Sequence, residues 1–168
     1  MRKDAPRCIV LGIGNPDRGD DAVGRVVARH LRGFSPANTK IVEHDGEGTA
    51  LLTQFDGAAV TFVVDASASG TPPGTIRRFD VSSAPLPDLA FGLSTHGFGL
   101  AMAIELARTL GQLPPRCIIY AIEGSSFETG APLSPPVQAA VAEIARRLLA
   151  EITDRTAPMD GSPCMKHR

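Results

Sequence analysis

The sequence predicts a single α/β domain: a three-layer αβα sandwich around a mostly parallel five-stranded sheet with one antiparallel edge strand. Short apolar runs rich in β-branched residues alternate with segments whose apolar residues recur at helical spacing. The chain has 168 residues, of which 43% are hydrophobic and 21% charged, as in one ordinary globular domain. No repeat of roughly 20 to 50 residues is visible, so the order must come from one compact core.

Five segments have strand character, in chain order 8–12, 40–43, 59–65, 75–80 and 116–122. The fourth is more polar and carries two arginines, which suits a solvated edge strand. The link before it, residues 70–74, is rich in glycine and proline and is too short to hold a crossover helix. We therefore expect this edge strand to be antiparallel to its predecessor.

Three segments show helical spacing of apolar residues: 23–31, 100–110 and 134–152. Gly111 is placed to cap the second helix, and Ser134 followed by Pro135 marks the start of the last. Helical periodicity stops after Ile152. The sequence thus predicts a domain over residues 1–152 and a mobile C-terminal tail over 153–168.

The overall charge excludes several classes of function. The 17 Lys and Arg residues nearly balance the 18 Asp and Glu residues, giving a formal net charge of -1. This removes the electrostatic signature of a protein that binds nucleic acid or a membrane surface. No apolar stretch approaches the ~20 residues that span a bilayer, so we expect a cytoplasmic protein. A monomer is predicted, although near-neutral charge and one edge strand also allow a dimer.

The loop after the first strand, residues 12–24, is rich in glycine and lies where open α/β sheets place ligands. A dinucleotide loop would need a third glycine where Asp17 stands, and no Walker A motif occurs. Asp20 and Asp21 begin the first helix. We expect one of these aspartates to cap the helix and the other to be available for chemistry.

A second acid and a histidine are predicted at the same edge of the sheet. Asp65 ends the most apolar strand, although it could instead cap amides of the following loop. His96 precedes the helix predicted at 100–110 and is flanked by Gly97. Two carboxylates and an imidazole suit Zn, Ni, Mn or Fe, and the ligand types alone do not identify the metal. His44, between two acids, is interpreted as structural or solvated.

Three segments together resemble the hydrogenase maturation protease family. They are Gly12-Ile13-Gly14-Asn15 with Asp20-Asp21-Ala22-Val23-Gly24, Val63-Val64-Asp65-Ala66 with Pro73-Gly74-Thr75, and Ser94-Thr95-His96-Gly97-Phe98-Gly99-Leu100. The resemblance covers about residues 8 to 150. It implies an endopeptidase that removes the C-terminal extension from the precursor of a nickel–iron hydrogenase large subunit after nickel insertion.

By position in the family motifs, the resemblance assigns Asp21, Asp65 and His96 as the catalytic and metal-contacting residues. It implies that the nickel belongs to the substrate, so the resting protein need not hold metal. The metal could polarise the scissile carbonyl, or Asp21 or Asp65 could act as general base.

Further residues are expected to contact the substrate: Asn15, Asp45, Gly46 and Glu123. Many family members have an Asp-Gly-Gly-Thr segment where this chain has Asp45-Gly46-Glu47-Gly48-Thr49, which bears on substrate recognition. Glu47 could simply be an exposed acid at a helix start, and Glu123 could be a simple cap.

Two other functions compete with the peptidase. A non-catalytic assembly protein could hold a precursor or a metal on the same scaffold, and it would never produce a shortened product. A small-molecule hydrolase or nucleotide binder could use the loop at 12–24, and a thermal shift with nucleotides would reveal the latter.

Overall fold

The computed structural model describes residues 8–34, 36–87 and 95–154, with side chains described throughout except at 95–98. The elements are, in chain order, β1 (Cys8–Ile13), a 3₁₀ turn (Gly19–Ala22), α1 (Val23–Arg32), β2 (Thr39–His44), α2 (Gly48–Phe55), β3 (Val60–Ser67), β4 (Ile76–Asp80), α3 (Thr95–Thr109), β5 (Arg116–Glu123) and α4 (Pro135–Asp154).

The strands form one sheet in the order β2-β1-β3-β5-β4. The pairs β1–β2, β1–β3 and β3–β5 are parallel, whereas β4 pairs with β5 in antiparallel fashion. The predicted fold class is confirmed, including the antiparallel edge strand. The partner of that strand is β5, which is inserted between β3 and β4, rather than the strand that precedes it in sequence.

Helices cover both faces of the sheet. On one face α1 and α4 pack against alternate strand residues such as Phe62 and Val64. On the other face α2 and α3 pack against the intervening residues, among them Val63 and Ile119. Because successive strand residues point to opposite faces, the doubly covered strands are apolar along nearly their whole length.

Two glycines let α1 lie directly against the sheet. A Cβ on Gly24 would fall 2.3 Å from the carbonyl oxygens of both Ile13 and Val64, and one on Gly12 would fall 2.1 Å from the carbonyl oxygen of Gly24. These distances are far below any van der Waals contact. The first turn of α1 is thereby fixed at the ends of β1 and β3.

α3 begins at Thr95, so the prediction that His96 precedes this helix is wrong. Two other predicted boundaries are wrong by two residues. β3 continues past Asp65 to Ser67. α4 continues past Ile152 to Asp154, and Thr153 donates a hydrogen bond from its hydroxyl to the Leu149 carbonyl at 2.8 Å. The rest of the predicted tail, residues 155–168, lies outside the described residues. Within the described part of the chain, no helix has the length and apolar character that crossing a membrane requires.

Candidate functional site

Asp21 follows β1 and Asp65 lies in the adjacent strand β3, at the point where the chain changes direction across the sheet. The connection through α1 leaves β1 over one face, and the connection through α2 reaches β3 over the other. Open α/β sheets place their ligands at the carboxyl ends of the strands at such a switch point. The sequence prediction that the first loop and Asp65 share one edge is thus consistent with the topology.

Asp21 lies in the 3₁₀ turn that follows β1 and is 5% exposed. Its Oδ2 accepts the backbone N–H of Asn15 at 3.1 Å, which ties the start of the loop to its end. Gly14 has a φ of +150°, and a Cβ there would lie 1.8 Å from the Asp21 carbonyl oxygen. The glycine therefore allows β1 to end directly against the turn that carries Asp21.

Asp65 is fully buried within β3. Its Oδ1 accepts the backbone N–H of Ala66, the next residue of β3, at 2.8 Å. Asp65 shares its sheet face with Val63, which packs against α2 and α3. Its carboxylate therefore lies on the side of the sheet where α3 begins.

The backbone of His96 lies in the first turn of α3, but its side chain lies outside the described residues. Gly99, the fifth residue of α3, lies close to the loop that follows β2: a Cβ on Gly99 would fall 3.1 Å from the Gly46 carbonyl oxygen. The N-terminal part of α3 therefore packs against this loop. Among the side chains that are described, no three His, Cys, Asp or Glu residues could together hold a metal ion. The assignment of Asp21, Asp65 and His96 as metal contacts stays a prediction.

The loop after β2 carries two of the expected substrate contacts, Asp45 and Gly46. The Asp45 side chain is 74% exposed, and its Oδ1 accepts the Glu47 N–H at 2.9 Å. The buried His44 fixes this loop, because its Nδ1 accepts the Gly46 N–H at 2.8 Å. Asp45 is accessible to a substrate, whereas His44 is buried, which agrees with a structural role for His44.

The electrostatics of His44 follow from its burial. Burial lowers the pKa of the imidazole below its ordinary value of 6.5, and Arg25 lowers it further. Asp45 and Glu47 act in the opposite direction but do not outweigh burial. Nδ1 lies 3.4 Å from an Asp45 oxygen, but it already accepts the Gly46 N–H. The proton of the neutral ring is therefore on Nε2.

Glu47 confirms the interpretation of an acid at a helix start. Its carboxylate is the N-cap of α2 and accepts the N–H groups of Thr49 and Ala50 at 3.1 and 2.8 Å. Glu47, the residue at which this chain differs from the common family segment, therefore caps α2.

The expectation that Asp20 or Asp21 is the N-cap of α1 is wrong, because that position is Ala22 and has no side-chain capping bond. The fully buried Asp20 instead reaches the loop between β5 and α4. It accepts the backbone N–H groups of Ser125 (2.8 Å), Ser126 (3.0 Å) and Ser134 (2.7 Å), and the Ser134 hydroxyl at 2.8 Å. Burial alone would raise the pKa of Asp20, but these bonds to the charged form hold it below 3.8.

Glu123, at the end of β5, is 3% exposed. Its two carboxylate oxygens accept hydrogen bonds from Ser67, Ser69 and Gly70 in the loop after Asp65. The carboxylate therefore does cap this loop, whereas the expected contact with substrate stays a prediction.

A sequence model of the hydrogenase maturation protease family matches residues 25–151, well over half of the chain. The chain belongs to this family. Two curated proteins, each described as hydrogenase expression/formation protein HupD, are similar to it. That of Rhodobacter capsulatus is 31% identical over 151 residues, 86% of this chain and 72% of its own length. That of Thiocapsa roseopersicina is 29% identical over 141 residues, 82% of this chain. The match covers 63% of the Thiocapsa protein, so this chain spans less than two thirds of that relative.

The fold is shared with solved structures. The hydrogenase maturating endopeptidase HybD from Escherichia coli superposes with a TM-score of 0.78 at 25% identity, covering 89% of this chain and 93% of that one. A NiFe hydrogenase maturation protease from Thermococcus kodakarensis superposes with a TM-score of 0.69 at 22% identity, covering 88% and 93%. The sequence resemblance to maturation proteases and the predicted α/β fold are both confirmed.

The region matched by the maturation protease family includes Asp65 and His96, whereas Asp21 lies four residues before its first matched position at 25. The family match therefore includes the candidate residues of β3 and α3. The prediction for Asp21 is supported by its position in the turn after β1.

Proposed function

We propose that this maturation protease family member is an endopeptidase that removes the C-terminal extension of a nickel–iron hydrogenase large-subunit precursor after nickel insertion. The nickel in the precursor is recognised by Asp21, Asp65 and His96. The protein acts in the cytoplasm as a monomer, with no nucleic-acid or membrane partner.

The observation that carries this proposal is the pair of buried acids at the switch point of the maturation protease fold. Asp21 and Asp65 are 5% and 0% exposed; Asp21 lies in the turn after β1, and Asp65 lies in the neighbouring strand β3. Buried carboxylates are costly unless something compensates their charge. Each accepts a backbone N–H, which fixes its carboxylate, and carboxylate oxygens are suitable ligands for a divalent ion brought in by the substrate. The helix that carries His96 begins at the same edge.

The chemistry of the proposed step divides between recognition and hydrolysis. Carboxylate and imidazole groups are suitable ligands for nickel, so the three side chains hold the precursor only when its metal is present. The metal of the precursor places the scissile peptide beside Asp21 and Asp65. Either carboxylate is then available to accept a proton from the attacking water.

The extension is guided by groups around this centre. Asp45 is exposed and Gly46 is buried in the loop after β2, and Asn15 begins the loop that Asp21 closes. The Asn15 side chain accepts the Asp17 N–H at 2.9 Å, which leaves its amide N–H₂ group as a donor for the substrate.

Intact mass spectrometry of the precursor tests this function. Nickel-loaded and nickel-free precursors are incubated with wild-type protein, with Asp21→Ala, and with Asp17→Ala as the matched control on the same loop. Asp17 is exposed, so its replacement should leave cleavage intact. We expect loss of a C-terminal peptide with wild type and with Asp17→Ala, only when nickel is present, and no cleavage by Asp21→Ala.

Two results would contradict the proposal. Cleavage by Asp21→Ala at the wild-type rate would remove Asp21 from the site. An intact, nickel-loaded precursor that forms a stable complex with the wild-type protein would indicate the competing function, a non-catalytic assembly protein.

A further inference from the structure

A buried polar cluster lies immediately beyond Asp65 on the same face of the sheet. Asp65 and Ser67 are two residues apart on β3, so their side chains leave the strand on the same side. Ser67 is paired in register with Glu123 of β5, and both are buried. The centre of this cluster is the carboxylate of Glu123, which the proposed hydrolysis does not use.

The Glu123 carboxylate holds the loop after β3 through both of its oxygens. Oε2 accepts the Ser67 hydroxyl at 2.8 Å, the Ser69 N–H at 3.1 Å and the Ser69 hydroxyl at 2.9 Å. Oε1 accepts the Gly70 N–H at 2.8 Å. One donor from the end of β3 and three from the following loop thus converge on a single carboxylate.

The backbone of Glu123 holds the far end of the same connection. Its N–H donates to the Thr75 carbonyl at 3.0 Å, and its carbonyl accepts the Gly74 N–H at 2.8 Å. Gly124 then donates to the Ser67 carbonyl at 2.9 Å. Residues 67–75 are therefore fixed at both ends by one position of β5.

Arg77 of β4 completes the cluster. Its Nη2 donates to the Ser67 hydroxyl oxygen at 3.3 Å, while that hydroxyl donates to Glu123. Ser67 therefore connects a guanidinium to a carboxylate. This orients its hydroxyl and limits movement of the strand end that carries Asp65.

We propose that Glu123 is a positioning residue for Asp65: its carboxylate fixes the end of β3 and the following loop so that the Asp65 carboxylate meets the metal of the precursor in a productive geometry. This inference rests on the proposed function and replaces a direct substrate contact by Glu123. Groups that orient a metal-contacting residue commonly contribute about 10- to 100-fold to affinity or activity.

Glu123→Gln tests the inference sharply, because neither orientation of the amide suits the four donors. With the amide oxygen in the place of Oε2, its nitrogen faces the Gly70 N–H; in the flipped orientation it faces the Ser69 N–H. The matched control is Glu128→Gln, an exposed acid in the loop that follows β5. The measurements are kcat and KM on the nickel-loaded precursor, and amide hydrogen exchange over residues 66–70.

For Glu123→Gln we expect kcat to fall by about tenfold or more with KM changed less than about twofold, and exchange at Ser69 and Gly70 to accelerate. Glu128→Gln should match wild type in all three. If Glu123→Gln does not fold, Ser69→Ala, which removes one hydroxyl donor, should show a smaller fall in kcat in the same direction.

The outcomes separate the two proposals. An unchanged kcat despite faster exchange, or a raised KM with kcat unchanged, would overturn the positioning role and, in the second case, indicate a substrate contact. A wild-type protein that leaves the nickel-loaded precursor intact would overturn the proposed function itself, and the positioning role with it.

Discussion

At the scale of single residues, His44 makes stability depend on pH. Its pKa is lowered in the folded protein by burial, so the unfolded chain binds a proton more readily. Stability is then lost as the pH falls below the unfolded value of 6.5, by at most about 1.4 kcal/mol per pH unit for one proton. His44→Asn keeps an acceptor for the Gly46 N–H but does not titrate. Urea unfolding should show the wild type losing stability relative to His44→Asn between about pH 7 and pH 5.5.

The control for this experiment is His30→Asn, because His30 is exposed in the last turn of α1. It should lose stability in parallel with the wild type over that pH range. A wild-type curve parallel to that of His44→Asn would show that the His44 imidazole is not held neutral.

At the scale of elements, Gly24 is required by packing rather than by helix propensity. Alanine at a helical position is ordinarily worth about 1 kcal/mol more than glycine. Here the added Cβ would lie 2.3 Å from two carbonyl oxygens, so α1 must move away from β1 and β3. We expect Gly24→Ala to lower the free energy of unfolding by about 2 kcal/mol or more, measured by urea denaturation. Gly48→Ala, whose Cβ would lie 3.4 Å from the Gly99 carbonyl oxygen, is the matched control and should be nearly neutral.

Most elements were predictable because their patterns are local. β-branched apolar runs identified β1, β3 and β5, shorter and more polar segments indicated β2 and β4, and Ser134-Pro135 located the start of α4 correctly. α2 gave no such pattern: it has eight residues, and only Leu51 and Phe55 are buried, too few for a periodic stripe. Its one local signal was the acid at its start, Glu47.

At the scale of the whole molecule, the sequence could not reveal what the buried carboxylates hold. The motif order predicted that Asp21 and Asp65 lie at one edge, because parallel strands bring their carboxyl ends together. The partners of Asp20 are 105 to 114 residues away, and those of Glu123 are 53 to 56 away. No local pattern encodes such pairs, so a capping role on the nearest helix was the natural but wrong expectation for Asp20.

Asp20 therefore connects the first loop of the fold to the start of its last helix, and its charge should contribute to stability. The folded pKa of Asp20 is lowered, so this contribution is present above the unfolded value of 3.8 and is lost as the pH falls through the folded value. We expect Asp20→Asn to cost about 2 kcal/mol or more near pH 7, because three backbone N–H groups lose a charged acceptor. The deficit should shrink in urea unfolding as the pH falls below 3.8, since the unfolded wild-type chain then binds a proton more readily than the folded protein does. Asp56→Asn, an exposed acid after α2, should show no such deficit at either pH, and a deficit of Asp20→Asn that stays constant with pH would rule out the charge as its source.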